Sequence, residues 1–158
     1  MPVETLKRFL DDHHVRYVTI RHSPAYTAQE IAASAHIPGQ ELAKTVILEI
    51  DGALAMAVLP ASEHVEIGIF SGLIGANHVA LASESRFAER FPDCEPGAMP
   101  PFGNLYGMRV FVAKDLTKDD VIAFNAGTHT ELIQLAFEDY LRLVEPEVVD
   151  FAAETAAY

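Results

Sequence analysis

The sequence has little cysteine, little basic charge and no long apolar run. Cys94 is the only cysteine among 158 residues, which excludes a disulfide framework and a thiolate metal cluster. No apolar run approaches the roughly 18 residues that a membrane span needs, and the first ten residues lack the apolar core of a signal peptide. We therefore expect a cytoplasmic protein that has no membrane partner.

Basic residues are outnumbered by acidic ones, 11 against 23, which gives a formal net charge of −12. A surface of this sign repels polyanions over most of its area. We therefore expect no DNA partner, and any contact with another nucleic acid must be local.

Several common catalytic motifs are missing as well. No predicted strand is followed by a GxGxxG or Walker loop, which disfavours a doubly wound nucleotide fold. The seven histidines show no HExxH or comparable ligand spacing, and there is no GxSxG elbow. The sequence therefore predicts neither a metal nor a cofactor.

The patterns that are present alternate between helix and strand without repeats or an evident linker. We predict helices over residues 5–12, 27–35, 62–73, 83–90 and 137–143, and strands over residues 16–20, 42–50, 53–59, 78–81, 109–112, 121–124 and 132–135. The clearest hairpin joins residues 42–50 to 53–59 through Asp51-Gly52, a pair that favours a type I′ turn. This arrangement predicts one α+β domain over residues 1–158 with a mixed sheet. Residues 145–158 are acidic and alanine-rich, and are interpreted as a docked helix or a loose, frayed tail.

Residues 97–107 form a loop of specified shape. Three glycines and the pair Pro100-Pro101 exclude a helix and a central strand. The loop nevertheless carries large apolar side chains, including Met99 and Phe102. We expect these side chains to point inward and the backbone to point outward, where N–H groups could meet a carbonyl or phosphate. A well-packed connection between two elements is the simpler alternative.

Lys44 is the only lysine or arginine between Arg21 and Arg86. The period of two in its predicted strand places it on the apolar face with Val46. A cation there is costly unless an anionic or carbonyl group meets it. The partner could be an internal carboxylate such as Asp115, or the phosphate of a ligand.

A glycine turn at residues 125–129 places His129 just after a predicted strand, at a position where side chains often line clefts. Considered alone, His129 fits a surface or capping role better. Taken in chain order, Lys44-Thr45, the loop at 97–103 and the turn at 125–129 resemble the YbaK/EbsC family of aminoacyl-tRNA deacylases. That family is related to the editing domain of bacterial prolyl-tRNA synthetases, and the resemblance runs from His22 through the last predicted helix.

The resemblance implies an α+β fold whose mixed sheet curls around a pocket with flanking helices. It also implies that Lys44 holds the 3′ end of a tRNA, that Gly97 and Pro101 belong to a GxxxP loop shaping an amino-acid pocket, and that His129 lines this pocket. The predicted catalytic residues are Lys44, Gly97 and Gly103. The predicted substrate-binding residues are His22, Thr27, Thr45, Met99, Pro100, Pro101, Phe102, Asn125, Gly127 and His129.

The implied activity is hydrolysis of the ester bond of a mischarged aminoacyl-tRNA after it leaves the synthetase. Such an ester is already activated, so positioning a water and stabilising the oxyanion could suffice without a nucleophile. We expect alanyl-tRNA(Pro) as substrate, the tRNA 3′ acceptor end as partner, and an aminoacyl-tRNA synthetase as a further candidate partner.

Two alternatives stay open. One is a non-enzymatic small-ligand or interaction module that retains the pocket, and the other is a deacylase for another ester such as cysteinyl-tRNA(Pro). Basic residues around the Lys44 pocket would favour the enzyme, whereas a pocket filled by its own side chains would favour the module.

Overall fold

The computed structural model describes residues 4–22 and 42–154. The predicted helix over residues 27–35, with Thr27, lies outside the described residues. The helices are α1 (Glu4–Asp12), α2 (Ile67–Ile74), α3 (Glu84–Phe87) and α4 (Phe137–Val144), with 3-10 turns at Ala88–Arg90, Gly103–Leu105 and Lys114–Lys118. The strands are β1 (Tyr17–Arg21), β2 (Ala43–Ile50), β3 (Ala53–Pro60), β4 (Glu63–Val65), β5 (Val79–Leu81), β6 (Arg109–Ala113), β7 (Val121–Thr128), β8 (Glu131–Ala136), β9 (Glu147–Val149) and β10 (Ala152–Glu154).

The hairpin of β2 and β3 has the predicted turn. Asp51 and Gly52 both have positive φ, 49° and 90°, as a type I′ turn requires. The Asp51 carboxylate also accepts the backbone N–H of His78 at 2.7 Å, which fixes the hairpin tip beside β5. The turn residues therefore determine both the hairpin and its register.

The strands of the described residues form three sheets. The largest has the order β5-β2-β3-β6-β9 and is mixed, because β2 pairs antiparallel with both β3 and β5, while β6 pairs parallel with β3 and β9. A second, antiparallel sheet has the order β1-β8-β7, and β4 pairs with β10 in a third. The predicted α+β fold with a mixed sheet is confirmed.

Each face of the largest sheet packs against its own core. The larger core, which we call the loop-side core, lies against the β1-β8-β7 sheet. In it, the ring centroid of Phe102 lies 5.4 Å from that of Tyr140 and 5.5 Å from that of Phe124. The smaller, which we call the groove-side core, centres on Phe70 of α2, whose ring is 5.0 Å from Phe111. Successive side chains of β2 pack into opposite cores, because side chains along a strand point alternately to its two faces.

The predicted helix over residues 62–73 is wrong at its start. Glu63–Val65 form β4, paired antiparallel with Ala152–Glu154, and the helix begins only at Ile67. Pairing with a strand distant in sequence overrides the local cap signal at Ser62. The predicted stop is confirmed, because Gly75 ends the helix with a φ of 70°.

The interpretation of residues 145–158 as a docked helix or frayed tail is also wrong through residue 154. Glu147–Val149 extend the largest sheet beside β6, and Phe151 is buried in the groove-side core. The β-branched pair Val148-Val149 suits a strand, and Phe151 supplies the apolar anchor. No helix among the described residues is long and apolar enough to cross a bilayer.

Candidate functional site

The loop predicted to begin at Gly97 begins two residues earlier, in a tight turn over residues 95–98. The N–H of Ala98 donates to the carbonyl of Glu95 at 3.0 Å. Pro96 and Gly97 occupy the central positions, and the φ of 83° at Gly97 matches a type II turn, which favours proline and then glycine there. The Pro-Gly dipeptide is a turn signal in the sequence that we missed.

Beyond this turn the loop packs as predicted. Met99 and Phe102 are buried in the loop-side core, and Pro100 and Pro101 are buried beside them. The hydroxyl of Tyr140 donates to the carbonyl of Pro101 at 2.8 Å. The side chains of these four predicted binding residues are buried in the protein interior. The backbone is therefore the part of the loop that remains for a ligand.

The N–H of Gly97 makes no hydrogen bond within residues 4–22 and 42–154, and Gly97 is exposed. An outward N–H at a glycine is what the sequence predicts for this loop. It leaves one backbone donor available to an oxygen atom from outside.

The predicted turn at residues 125–129 is instead the end of β7, interrupted by a bulge. Pairing of β7 with β8 shifts between Asn125 and Thr128, and Gly127 has a φ of 91°, a backbone that glycine adopts readily. The bulge frees both backbone groups of Gly127 from β8. They pair with the 95–98 turn instead, because Glu95 N–H donates to Gly127 O at 2.7 Å and Gly127 N–H donates to Ala98 O at 3.0 Å.

His129 lies against the same turn and is buried. Its Nε2 donates to the carbonyl of Pro96 at 2.7 Å, so this ring nitrogen carries a proton. A Cβ placed on Gly97 would lie 3.5 Å from Cε1 of His129. The structure therefore brings together three predicted site residues, Gly97, Gly127 and His129, and adds Glu95 and Pro96, which the sequence analysis did not name.

Gly103, predicted to be catalytic, has a packing reason to be glycine. It is buried at the start of a 3-10 turn, and a Cβ there would lie 2.6 Å from Cγ2 of Val110 and 2.8 Å from the carbonyl oxygen of Met108. Contacts this short exclude a side chain. The structure thus explains Gly103 through its neighbours in the core.

His22 lies beside the β7-β8 connection. Its N–H donates to the carbonyl of Thr130 at 3.0 Å, and it lines a groove of about 290 Å³ with Arg21, Thr128, Thr130 and Glu131. His22 therefore lies near the β7-β8 connection that contains His129, although His129 does not line the same groove.

Asn125 points away from the loop-side core, because its neighbours Phe124 and Ala126 belong to that core and strand side chains alternate. Its Oδ1 is buried and has no hydrogen-bond partner in the described part of the chain. An acceptor left in this state is costly, by roughly 1–3 kcal/mol. A ligand hydroxyl or amine could satisfy it.

Lys44 lies on the groove-side face of β2, and lines an open groove of about 340 Å³ with Val46, His64, Val65, Ile67 and Leu81. The prediction that its strand period directs it to an apolar face is confirmed. Burial lowers the pKa of Lys44, and the negative charge of Glu63 opposes this shift. Asp115, the carboxylate suggested from the sequence, is the wrong partner, because it pairs with Lys118 at 3.4 Å.

Among the described residues, the Lys44 groove and the Gly97 turn have no lining residue in common. Thr45 faces the side opposite to Lys44, as neighbours in a strand do, and is half-buried. Lys44 is the only lysine or arginine lining the described part of its groove, so the basic cluster that would favour a nucleic-acid enzyme is not found there. The groove is nevertheless open, whereas an interaction module was expected to fill it.

Other chemistry near the loop is limited. Cys94 Sγ lies 3.8 Å from the hydroxyl of Tyr106, and burial raises the pKa of the Cys94 thiol, which disfavours a thiolate nucleophile. Within residues 4–22 and 42–154, no three His, Cys, Asp or Glu side chains are grouped to hold a metal ion.

The residues that form these features fall within one family match. The sequence model of the aminoacyl-tRNA editing domain matches residues 22–143, from His22 through almost all of α4. The chain belongs to the aminoacyl-tRNA editing domain family. The resemblance found in the sequence is therefore confirmed at the level of the family.

Characterised proteins with a similar sequence support this family assignment. The chain is 35% identical over 98 residues to the multifunctional Ser/Thr-tRNA deacylase ProXp-y of Escherichia coli K12, and equally to that of Escherichia coli O157:H7. Each alignment covers 61% of this chain and 58% of the relative, so it spans little more than half the length of these proteins.

Solved structures share the fold. A hypothetical protein superposes with a TM-score of 0.84 at 20% identity, over 95% of this chain and all of the other. A candidate trans-editing enzyme for prolyl-tRNA synthetase gives a TM-score of 0.79 at 18% identity, over 96% of this chain and 95% of the other. At these identities the likeness establishes the fold.

Proposed function

We propose that this protein hydrolyses the ester bond of mischarged aminoacyl-tRNA, acting at the 3′ acceptor end in trans. The observation that carries the proposal is the editing-domain match over residues 22–143, which spans Lys44, the 95–98 turn and His129. The geometry supports two separate roles, a cationic anchor at Lys44 and a backbone hydrogen-bond donor at Gly97.

Lys44 is the proposed anchor for a phosphate or the terminal ribose of the tRNA. Burial disfavours its charge, so a ligand anion in the groove would stabilise the cation. One anchor suits a protein with a net charge of −12, because contact confined to the 3′ end avoids bringing the tRNA body against an acidic surface.

Gly97 is the proposed oxyanion donor. Its N–H makes no hydrogen bond within the described residues, and four hydrogen bonds hold its turn against β7 and His129. A donor fixed in advance stabilises the charge that develops when water attacks the ester carbonyl. No protein nucleophile is needed, because an aminoacyl ester is activated and the protein has only to position it against a water.

The amino acid is proposed to be small, with alanine on the tRNA for proline as the first choice. His129 lies within contact distance of a Cβ built on Gly97, and Pro100 and Pro101 are buried, so an amino acid bound at the turn would meet rigid neighbours. A synthetase rejects a slightly smaller amino acid only about 10–200-fold by binding, which is why a second, smaller pocket is useful. A synthetase that delivers the mischarged tRNA is a proposed partner.

Serine or threonine is the second candidate. The relatives at 35% identity are named Ser/Thr-tRNA deacylases, and the unsatisfied Oδ1 of Asn125 is an acceptor that a substrate hydroxyl could use. A site built to bind a hydroxyl discriminates strongly against analogues that lack it. Asn125→Ala should then lower hydrolysis of seryl-tRNA and threonyl-tRNA more than that of alanyl-tRNA.

The test is a deacylation panel with the purified protein. The substrates are tRNAs charged with alanine, serine, threonine, cysteine or proline, each compared with its spontaneous hydrolysis. We expect at least one small amino acid to be released about tenfold faster than without protein, and prolyl-tRNA(Pro) to be spared. If no aminoacyl-tRNA is hydrolysed, the proposal is wrong and a ligand-binding module becomes the better account.

A further inference from the structure

We propose that Glu95 is a positioning residue which holds the His129 ring against the 95–98 turn, beside Gly97, and thereby limits the size of amino acid that is accepted. This inference rests on the proposed deacylase function. Glu95 was not singled out by any sequence motif, and its role emerges from the bonds that it makes at both ends of the turn.

Glu95 holds β7 through its backbone and through its side chain. Its N–H donates to Gly127 O at 2.7 Å, and its Oε1 accepts the N–H of His129 at 2.7 Å. The two contacts lie on either side of Thr128, so one residue spans the bulge. They fix the direction in which the backbone of His129 leaves β7.

The imidazole completes this clamp. His129 Nε2 donates to Pro96 O at 2.7 Å, and Pro96 is the residue between Glu95 and Gly97. Without the Glu95 carboxylate, the backbone N–H of His129 would lose this acceptor, and the ring's bond to Pro96 O would no longer be supported from the backbone. The contact of 3.5 Å between Cε1 of His129 and a Cβ built on Gly97 would then be less tightly fixed.

The position of Glu95 points to an effect on selectivity more than on folding. Glu95 is an exposed residue, and an exposed charge-assisted bond adds little to global stability. A reacting group displaced by about 1 Å can nevertheless lose on the order of a hundredfold in rate. A displaced His129 ring would also admit larger amino acids.

The experiment compares Glu95→Ala and Glu95→Gln with the wild type, and uses Asp93→Ala as the matched control. Asp93 is an exposed carboxylate two residues earlier that makes no hydrogen bond in the described chain. For each protein, kcat and KM are measured on the best-hydrolysed aminoacyl-tRNA and on prolyl-tRNA(Pro). Hydrogen exchange at the His129 amide is followed in the same samples.

We expect Glu95→Ala to reduce the preference for the smaller amino acid about tenfold, with KM for the tRNA unchanged within about twofold, since the Lys44 anchor is intact. The His129 amide should lose protection from exchange. Glu95→Gln keeps an acceptor oxygen and should retain most of the preference, and Asp93→Ala should match the wild type.

An active wild type whose preference is unaltered by Glu95→Ala would overturn the role of Glu95 and leave the deacylase proposal standing. A Gln variant as defective as the Ala variant would also overturn it, because the bond and not the charge is invoked. A wild type that hydrolyses nothing would overturn the deacylase proposal and the selectivity role together.

Discussion

The Lys44 groove and the turn at residues 95–98 offer a ligand different parts of the chain. In the groove the polar group is a side chain, set among Val46, Val65 and Leu81 on an open face. In the turn it is a backbone N–H, fixed by hydrogen bonds to β7 and His129. The difference predicts that side-chain changes in the groove alter binding and leave the fold intact, whereas changes in the loop act through backbone shape.

The largest expected effect is that of Lys44→Met, which removes the cation and keeps most of the side-chain volume. A lost charge-assisted contact of about 1.5–3 kcal/mol should lower kcat/KM by roughly 10–100-fold. Stability should stay equal or rise slightly, because the variant no longer desolvates a charge. Lys114→Met, at an exposed position, is the control for loss of one positive charge.

The pH dependence of stability also tests whether the fold buries the Lys44 charge at a cost. Burial lowers the pKa of Lys44 in the folded state below its ordinary 10.5, so the folded protein binds this proton less readily than the unfolded chain. The free-energy cost of burying the Lys44 cation is therefore present below the pKa of Lys44 in the folded state, and it disappears as the pH rises to 10.5. Denaturant titrations of wild type and Lys44→Met should therefore converge between neutral pH and pH 10.5. A variant that instead unfolds with a loss of about 3–5 kcal/mol would make Lys44 half of a structural ion pair.

Gly103→Ala should have the next largest effect, and on stability. Its Cβ would overlap the Met108 carbonyl at 2.8 Å and the side chain of Val110, and overpacking of this kind costs about 1–3 kcal/mol. Any activity of the folded fraction should be close to normal if packing is the whole role of Gly103. Thermal unfolding combined with single-turnover hydrolysis would separate the two, and a stable but inactive variant would restore the catalytic prediction.

Gly97→Ala should cost less stability than Gly103→Ala. The added Cβ meets His129 only at an ordinary contact distance of 3.5 Å, so the main cost is the positive φ, about 1–2 kcal/mol for an L-residue. Because the same Cβ narrows the space beside the proposed donor, hydrolysis should fall further than this strain explains. Unchanged turnover and unchanged amino-acid preference would remove the turn from the mechanism.

The sequence predicted features that depend on local rules. Asp51-Gly52 determined the β2-β3 hairpin, and the period of two correctly placed Lys44 on an apolar face, since both depend only on near neighbours. The match of Lys44 to Asp115 failed because carboxylates distant in sequence cannot be ranked without a fold. The order of residues 44, 97–103 and 125–129 was enough to identify the family.

Features made by distant pairing were missed. Glu63–Val65 carry a helix-like pattern, and only their pairing with Ala152–Glu154 makes them a strand. The bulge at Gly127 and the clamp by Glu95 likewise depend on which backbone groups β8 leaves unpaired. Gly127 and the Pro-Gly pair at residues 96–97 can be recognised in the sequence as turn-forming residues. The hydrogen bonds between Gly127 and the turn around this pair cannot be predicted from the sequence.

The pairing of β4 with β10 also has a consequence for the nascent chain. Translation produces Lys44 and β4 early, but β10, which pairs with the strand carrying His64 and Val65, emerges about ninety residues later. Contacts between such distant segments form slowly, because a large loop must close first. Until residues 152–154 have emerged, β4 therefore lacks the partner strand that fixes His64 and Val65 beside Lys44.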